Sequence, residues 1–308
     1  MAFASIDIGS NSLVFLVVDR SGTPLHDESV IVGLGSGLGD SGAFAEGPME
    51  ASLRAFASFA STARDFGVDP CSVHAIATSA ARRASNAAAF FERVERNTGI
   101  VVEIIDGLEE ARLTWSGAMA TLNIAAPNVA VVDLGGGSTE IVRQPRDRSA
   151  GPEQYSLEMG TVRLMEAFHI RNADTYPQEP LSAMQSHIDE LVETVNWSAP
   201  PGCIIAVAGT ATTIAAMEAG LTRWDRDKIN GLHLSVERIE WWHKRLAASD
   251  HVQRLNWAQI SPKRADLLVA GTAVLATIAR AAGVDHLVIS DGGIRHGVIV
   301  DRCLQNPQ

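Results

Sequence analysis

Hydrophobic positions along this chain alternate between short β-rich runs and segments with helical spacing. Phe3–Ile8 and Leu13–Val18 flank a Gly-Ser-Asn turn, which predicts a β-hairpin. Met49–Phe66 has apolar residues at helical spacing and ends before Gly67, which predicts a helix. Further strands are predicted at Val73–Ala77, Val101–Ile105, Cys203–Ala208 and His286–Ser290. Further helices are predicted at Ala87–Asn97, Leu108–Met119, Thr161–His169, Ser182–Trp197, Thr210–Ala219, Val236–Ala248 and Arg264–Ala282. The alternation predicts an α/β protein.

The strand–turn–strand pattern at the N-terminus recurs later in the chain. Phe3–Val17 and Val129–Arg143 align, with β-branched runs on both sides of a glycine-containing turn. The alignment pairs Asp7 with Asp133, Gly9 with Gly135, and Ser12 with Ser138. Ala125–Pro127 interrupts the pattern before the second copy. We therefore predict two lobes built on one plan, covering residues 1–125 and 126–308.

Composition excludes several classes of protein. The chain has 308 residues, 46% of them hydrophobic, and its apolar runs are too short and interrupted to predict a membrane span. Its N-terminus lacks a basic lead-in, and the odd, scattered cysteines fit neither a disulfide framework nor a CxxC metal site. These features predict a cytoplasmic protein. A net charge of −11 argues against nucleic acid as a partner, so an anionic substrate must be held locally.

The two repeated turns have the form Asp-x-Gly-x-x-Ser, and we call Gly9–Ser12 the first glycine turn and Gly135–Ser138 the second. Glycine lets several backbone N–H groups point at one anion, and the preceding carboxylate can hold Mg²⁺. A single copy is more often an ordinary turn, but two copies predict a clamp on one phosphate chain. Glu140 stands in an apolar β-run, where it either faces water or adds a second carboxylate beside Asp133.

Several separated motifs together resemble the exopolyphosphatase / guanosine pentaphosphate phosphohydrolase family over nearly the whole chain. They are DIGSNS (Asp7–Ser12), ATSAARRASN (Ala77–Asn86), DGLEEARL (Asp106–Leu113), DLGGGSTEIV (Asp133–Val142), MGTVRL (Met159–Leu164), AVAGTATTIAA (Ala206–Ala216), RADLLVAGTAVL (Arg264–Leu275) and SDGGIRHGV (Ser290–Val298). The resemblance implies two actin-like lobes with a ribonuclease-H-like core, in which a last helix at about 293–304 returns to the first lobe. It also implies a homodimer.

The resemblance implies roles for particular residues. Glu110 corresponds to the catalytic base that activates water, although alone it would be an ordinary acidic residue in a first helical turn. Asp133 and Glu140 correspond to ligands of Mg²⁺, with Mn²⁺ as an alternative ion, and Asp7 is the matching carboxylate of the first lobe. The residues implied to bind substrate phosphate are Ser10, Asn11, Ser12, Arg82, Gly135, Gly136, Gly137 and Ser138.

Three features depart from the family pattern. Asp106 stands where the family usually has Ser, and we expect its charge to affect the metal number or substrate choice near Glu110. Gly33–Gly39 lacks the cation that many members carry there, although its glycine spacing remains. The chain ends at Gln308 without the additional helical region of longer members. These departures favour short polyphosphates.

The first hypothesis for function is an exopolyphosphatase that releases terminal phosphate from polyphosphate. The close alternative is a guanosine pentaphosphate (pppGpp) 5′-phosphatase, since every motif above is common to both activities. An actin-like sugar or acid kinase would keep the two glycine turns but would not need Glu110. A phosphate-chain or nucleotide sensor without turnover is the non-catalytic alternative, and replacement of Glu110 would leave its readout unchanged.

Overall fold

The computed structural model describes residues 2–122, 124, 128–144, 152–257 and 260–304. Its strands are β1 (Phe3–Ile8), β2 (Ser12–Val18), β3 (Pro24–Ile31), β4 (His74–Ala77), β5 (Val102–Ile104), β6 (Val129–Leu134), β7 (Thr139–Arg143), β8 (Glu153–Leu157), β9 (Cys203–Val207), β10 (His233–Ser235) and β11 (His286–Ile289). Its α-helices are α1 (Leu38–Ser41), α2 (Glu46–Asp65), α3 (Ser79–Arg83), α4 (Ala87–Thr98), α5 (Gly107–Thr121), α6 (Thr161–Ala167), α7 (Gln178–Glu193), α8 (Ala208–Glu218), α9 (Arg226–Ile229), α10 (Val236–Ala247), α11 (His251–Leu255), α12 (Pro262–Ala265), α13 (Leu267–Ala281) and α14 (Ile294–Ile299).

The chain divides into two compact units. The first comprises Met1–Ala120 with Gly293–Gln308, and the second comprises Thr121–Gly292. The lobe boundary predicted at 125/126 lies outside the described residues. The last helical segment, α14 followed by the π-helical turn Val300–Leu304, is part of the first unit.

The first unit is built on a five-stranded sheet of order β3-β2-β1-β4-β5. β1, β2 and β3 are antiparallel neighbours, whereas β1, β4 and β5 run parallel. Ile6 and Ile8 of β1 alternate into a core that also contains Phe56 and Phe59 of α2, as the period of a strand requires. The carboxyl ends of the parallel strands therefore meet at one edge of this sheet.

The second unit is built on a six-stranded sheet of order β10-β11-β9-β6-β7-β8. β6, β9 and β11 run parallel, and β6, β7 and β8 are antiparallel neighbours. Helix α13 is buried along almost its whole length, because its apolar residues occur all round the helix rather than on one face. Both units thus combine an antiparallel hairpin with parallel strands whose connections are helical.

α5 and α14 touch backbone to backbone within the first unit. A Cβ atom added to Gly117 would lie 2.1 Å from the carbonyl oxygen of Gly293, and one added to Gly297 would lie 1.8 Å from the carbonyl oxygen of Leu113. Only glycine permits helices to approach this closely. The contact joins the end of the chain to the helix that carries Glu110.

The strands and helices predicted from the two hydrophobic periods are confirmed, with ends shifted by a few residues. Two differences stand out. The single helix predicted for Arg264–Ala282 is two helices, α12 and α13, with Asp266 at their junction, where its carboxylate accepts from the backbone of Asn172 and from Arg254. β3, which contains His26, is a strand that the hydrophobic pattern did not predict. No helix in the described ranges is long and apolar enough to cross a membrane.

Candidate functional site

The two glycine turns have matching local geometry. In the first turn the N–H of Gly9 donates to the carbonyl of Ser12 at 3.0 Å, and in the second the N–H of Gly135 donates to the carbonyl of Ser138 at 3.1 Å. Each turn joins two antiparallel strands, β1 to β2 and β6 to β7. The repeat seen in the sequence is therefore a repeat of backbone structure.

The carbonyl groups of the first turn accept hydrogen bonds from a later segment of the chain. The carbonyl of Asn11 accepts from the N–H groups of Val32 and Gly33, at 3.0 and 2.9 Å, and that of Ser10 accepts from Gly35 at 2.7 Å. Within the described ranges, the N–H groups of Ser10 and Asn11 donate to no protein acceptor. Adjacent backbone N–H groups that have no protein acceptor form a concavity of the kind that binds anions.

The second turn repeats this arrangement with a different partner, the start of α6. The carbonyl of Gly135 accepts from Thr161 at 3.0 Å, and that of Gly136 accepts from Val162 at 2.9 Å and from Arg163 at 3.1 Å. In the part of the chain that the structure describes, the backbone N–H groups of Gly136, Gly137 and Ser138 donate to no acceptor. Three consecutive N–H groups are thus available to one anion.

A glycine from a following segment packs against each turn. A Cβ atom on Gly35 would lie 2.9 Å from the Cβ of Ser10. A Cβ atom on Gly160 would lie 2.3 Å from the carbonyl carbon of Gly136 and from the backbone nitrogen of Gly137. Gly33 and Gly35, which belong to the Gly33–Gly39 segment that lacks the family's cation, therefore serve to hold the first turn.

Asp133 and Glu140 are direct cross-strand partners in β6 and β7, so their side chains lie on the same face of the sheet. They are 8% and 1% exposed, and Glu140 accepts a hydrogen bond of 2.9 Å from Ser156 of β8. Neighbouring buried carboxylates repel each other unless a cation or proton is present. Two carboxylates on one face suit Mg²⁺, which takes its other ligands from water and phosphate. The residues therefore fit this ion.

The equivalent cross-strand pair in the first unit is Asp7 with Val14. Only one carboxylate occurs at this position, so the repeat is chemically asymmetric. Asp7 and the first turn lie in one compact unit, whereas Asp133, Glu140 and the second turn lie in the other. Metal binding by Asp7 stays a prediction.

Glu110 lies in the first turn of α5 and is buried, with 5% exposure. The carboxylate of Asp106 accepts from the backbone N–H groups of Leu108 at 3.0 Å and Glu109 at 2.9 Å, which makes Asp106 the N-cap of this helix. Ser performs the same capping in other helices. Helix capping gives the Ser-to-Asp departure a structural explanation, and the expected effect of its charge on metal number or substrate choice stays a prediction.

Arg82 forms an ion pair with Glu110. Its Nη1 donates to the Oε2 of Glu110 at 2.7 Å and to the carbonyl of Ile105 at 2.9 Å. The start of α3, which carries Arg82, is held at the end of β1 because Thr78 donates to the carbonyl of Ile8. The parallel strands thus bring the first turn, Arg82 and Glu110 to the same edge of the first sheet, the edge where α/β sheets bind ligands.

Arg112, the arginine of the EEAR motif, was not singled out by the sequence analysis. Its guanidinium donates two hydrogen bonds to Glu109, at 2.7 and 2.8 Å, and two to Asp301, at 2.8 and 3.0 Å. The bonds from Arg112 hold the pKa of the Asp301 carboxyl below its ordinary value, against the opposing effect of burial. Arg112 thus ties the first turns of α5 to the C-terminal segment of the same unit.

The chain is similar to one family over nearly its whole length. The model of the Ppx/GppA phosphatase family matches residues 13–306. Exopolyphosphatase 2 of Mycobacterium tuberculosis is 31% identical over 314 aligned residues, which cover 96% of each protein.

Solved structures give the same result. A Ppx/GppA family member from Aquifex aeolicus is 30% identical, with a TM-score of 0.81 over 100% of this chain and 99% of that one. An exopolyphosphatase from Cytophaga hutchinsonii is 26% identical, with a TM-score of 0.87 over 97% of each chain. These structures and the two mixed sheets confirm the predicted α/β fold class, and the actin-like character of the two lobes stays a prediction.

Proposed function

The chain belongs to the Ppx/GppA phosphatase family, and from this premise we propose that it is an exopolyphosphatase that uses Mg²⁺ to release terminal orthophosphate from inorganic polyphosphate. Membership of this family and the likeness to an exopolyphosphatase make the chain a hydrolase of phosphoanhydride bonds. The substrate, the metal and the residue roles are parts of the proposal.

The observation that carries the proposal is the set of backbone N–H groups in the two glycine turns that have no acceptor among the described residues. Both turns use their carbonyl groups in hydrogen bonds to the protein, while the N–H groups of Ser10 and Asn11, and those from Gly136 to Ser138, donate to no acceptor among the described residues. Such groups bind phosphate oxygens without any broad basic surface. A protein with a net charge of −11 needs this kind of local binding.

In the proposed mechanism, the residues of this chain mainly position and polarise, since phosphoryl transfer to water needs little covalent chemistry from a protein. The N–H groups and Arg82 bind non-bridging oxygens. Asp133 and Glu140 would hold Mg²⁺, which would supply positive charge to neutralise the phosphate. Glu110 accepts a proton from the water that attacks the terminal phosphorus. Burial of Glu110 beside Arg82 fixes where this carboxylate can act.

Short polyphosphates are the proposed substrates. The chain's negative charge repels the distant part of a long polyanion, whereas the glycine turns bind phosphate only locally. Additional phosphates in a longer polyphosphate are therefore expected to add little to the free energy of binding. The homodimer implied by the family resemblance and the cytoplasmic location predicted from composition both stay predictions.

Phosphate release from short polyphosphate and from pppGpp, each with Mg²⁺, tests the choice of substrate. We expect kcat/KM for polyphosphate to exceed that for pppGpp by about tenfold or more, a discrimination that a few contacts supply. A preference of the same size for pppGpp would replace the proposal by its close alternative. Binding of both compounds with no phosphate release would instead indicate a sensor.

A further inference from the structure

The ion pair between Arg82 and Glu110 uses only part of the Arg82 side chain. On Arg82, a single nitrogen, Nη1, contacts both Glu110 and the carbonyl of Ile105. Its Nε and Nη2 donate to no acceptor within the described residues, and the side chain is 26% exposed. A guanidinium has five N–H donors in a planar fork, so the edge of Arg82 away from Nη1 is available to a ligand.

Glu110, the other member of this ion pair, is held in place by the protein. Its side chain is only 7% exposed, and its Oε2 is the atom that accepts from Arg82. The carboxylate is planar, so the Arg82 bond to Oε2 fixes the orientation of the whole group. The backbone of Glu110 is fixed as well, since its N–H donates to the carbonyl of Asp106 at 3.0 Å.

We propose that Arg82 is the positioning residue for Glu110: its Nη1 orients the carboxylate while its Nε and Nη2 bind the terminal phosphate of the substrate. One planar group then sets the distance and angle between the base and the phosphorus under attack. This inference rests on the proposed function of Glu110 as the base. It adds that Arg82 acts on the rate through Glu110 as well as on substrate binding.

In the reaction, the oxygen of water forms a bond to the terminal phosphorus, and the bond from that phosphorus to the bridging oxygen breaks. The electron pair of the broken bond stays on the bridging oxygen, which becomes the new end of the shortened chain. Glu110 takes one proton of the attacking water. Arg82 exchanges no proton, because a guanidinium stays protonated in proteins.

Lysine cannot perform both tasks of Arg82. Its ammonium is a compact charge on a flexible side chain and lacks the planar array of donors of a guanidinium. It can therefore bind the carboxylate or the phosphate, but it does not fix their relative geometry. Arg82→Lys is therefore expected to leave KM within about threefold and to lower kcat by about 10²-fold, the cost of a misplacement of about 1 Å. Arg83→Lys, the same change at the next residue, is the matched control and should leave kcat unchanged.

Steady-state kinetics of the wild-type chain, Arg82→Lys, Glu110→Gln and the double variant test the inference with short polyphosphate and Mg²⁺. If Arg82 acts through Glu110, the double variant should have a kcat within about threefold of that of Glu110→Gln, because residues that act as a unit are not additive. As a second measurement, millimolar guanidinium chloride should raise the kcat of Arg82→Ala at least about tenfold, since it restores a planar donor. Ammonium chloride at equal ionic strength should not.

Three results would overturn the inference. The first is multiplicative losses of kcat in the double variant, and the second is a wild-type kcat in Arg82→Lys. The third is an Arg82→Ala variant that guanidinium fails to rescue although its thermal unfolding matches that of the wild-type chain. Failure of the proposed function looks different, because Glu110→Gln alone would then keep the wild-type kcat.

Discussion

Replacing Glu110 by glutamine is expected to lower kcat for polyphosphate hydrolysis by about 10²–10⁴, the contribution of a general base. The change keeps the size of the side chain, and the amide oxygen can still accept from Nη1 of Arg82, so the substrate site should be preserved. KM should therefore change little. Initial rates of phosphate release over a range of polyphosphate concentrations separate the two quantities.

Glu109→Gln is the control for this variant, since it makes the same change at the next residue. Glu109 is partly exposed and its carboxylate pairs with Arg112 rather than with Arg82. Exposed pairs of this kind contribute about 0–1 kcal/mol, so kcat should stay near the wild-type value. A Glu110→Gln variant as active as Glu109→Gln would contradict the role of Glu110 as the base.

Gly160→Ala is expected to disrupt the second glycine turn. Gly160 has φ −73°, a value that alanine adopts readily, so the backbone conformation is not the obstacle. The obstacle is the new methyl group, which would lie 2.3 Å from backbone atoms of Gly136 and Gly137. We expect a loss of unfolding free energy of about 1–3 kcal/mol from overpacking. Displacement of the turn by about 1 Å should also lower kcat/KM by about 10²-fold.

Two further glycine variants calibrate this result through urea unfolding and phosphate release. Gly47 lies in α2 with no atom within 4 Å of an added Cβ, so Gly47→Ala should keep full activity and be as stable as the wild-type chain or more so. Gly35→Ala meets the side chain of Ser10 at 2.9 Å, a contact less severe than the one at Gly160. The expected order of activity is Gly47→Ala, Gly35→Ala, Gly160→Ala. Full activity in Gly160→Ala would show that the second turn does not need its present position.

Local patterns sufficed to predict most of the fold. The β-hairpin at β1 and β2 and its repeat at β6 and β7 were readable because alternating apolar residues and a glycine turn both act over a few residues. Three strands were missed, namely β3, β8 and β10. β3 and β8 are edge strands with few buried positions, and β10 has three residues, so none of them has a clear alternation of apolar and polar residues.

The site was predicted in part for the same reason. Motifs indicated which residue types to expect, but the partner of each side chain depends on tertiary structure. Arg82 was predicted only as a phosphate ligand, and its bond to Glu110 arises because β4 and β5 are parallel neighbours in the sheet. Helix capping by Asp106 is a local interaction that the position before Gly107 could have indicated, whereas the effect expected from its charge stays a prediction.

Hydrolysis of polyphosphate in ¹⁸O-labelled water tests the central claim, which is attack of water on the terminal phosphorus. After a single turnover with Mg²⁺, mass spectrometry of the products locates the label. The account predicts one ¹⁸O atom in the released orthophosphate and none in the shortened chain. Label in the chain end, with unlabelled orthophosphate, would place the attack on the neighbouring phosphorus and contradict the account.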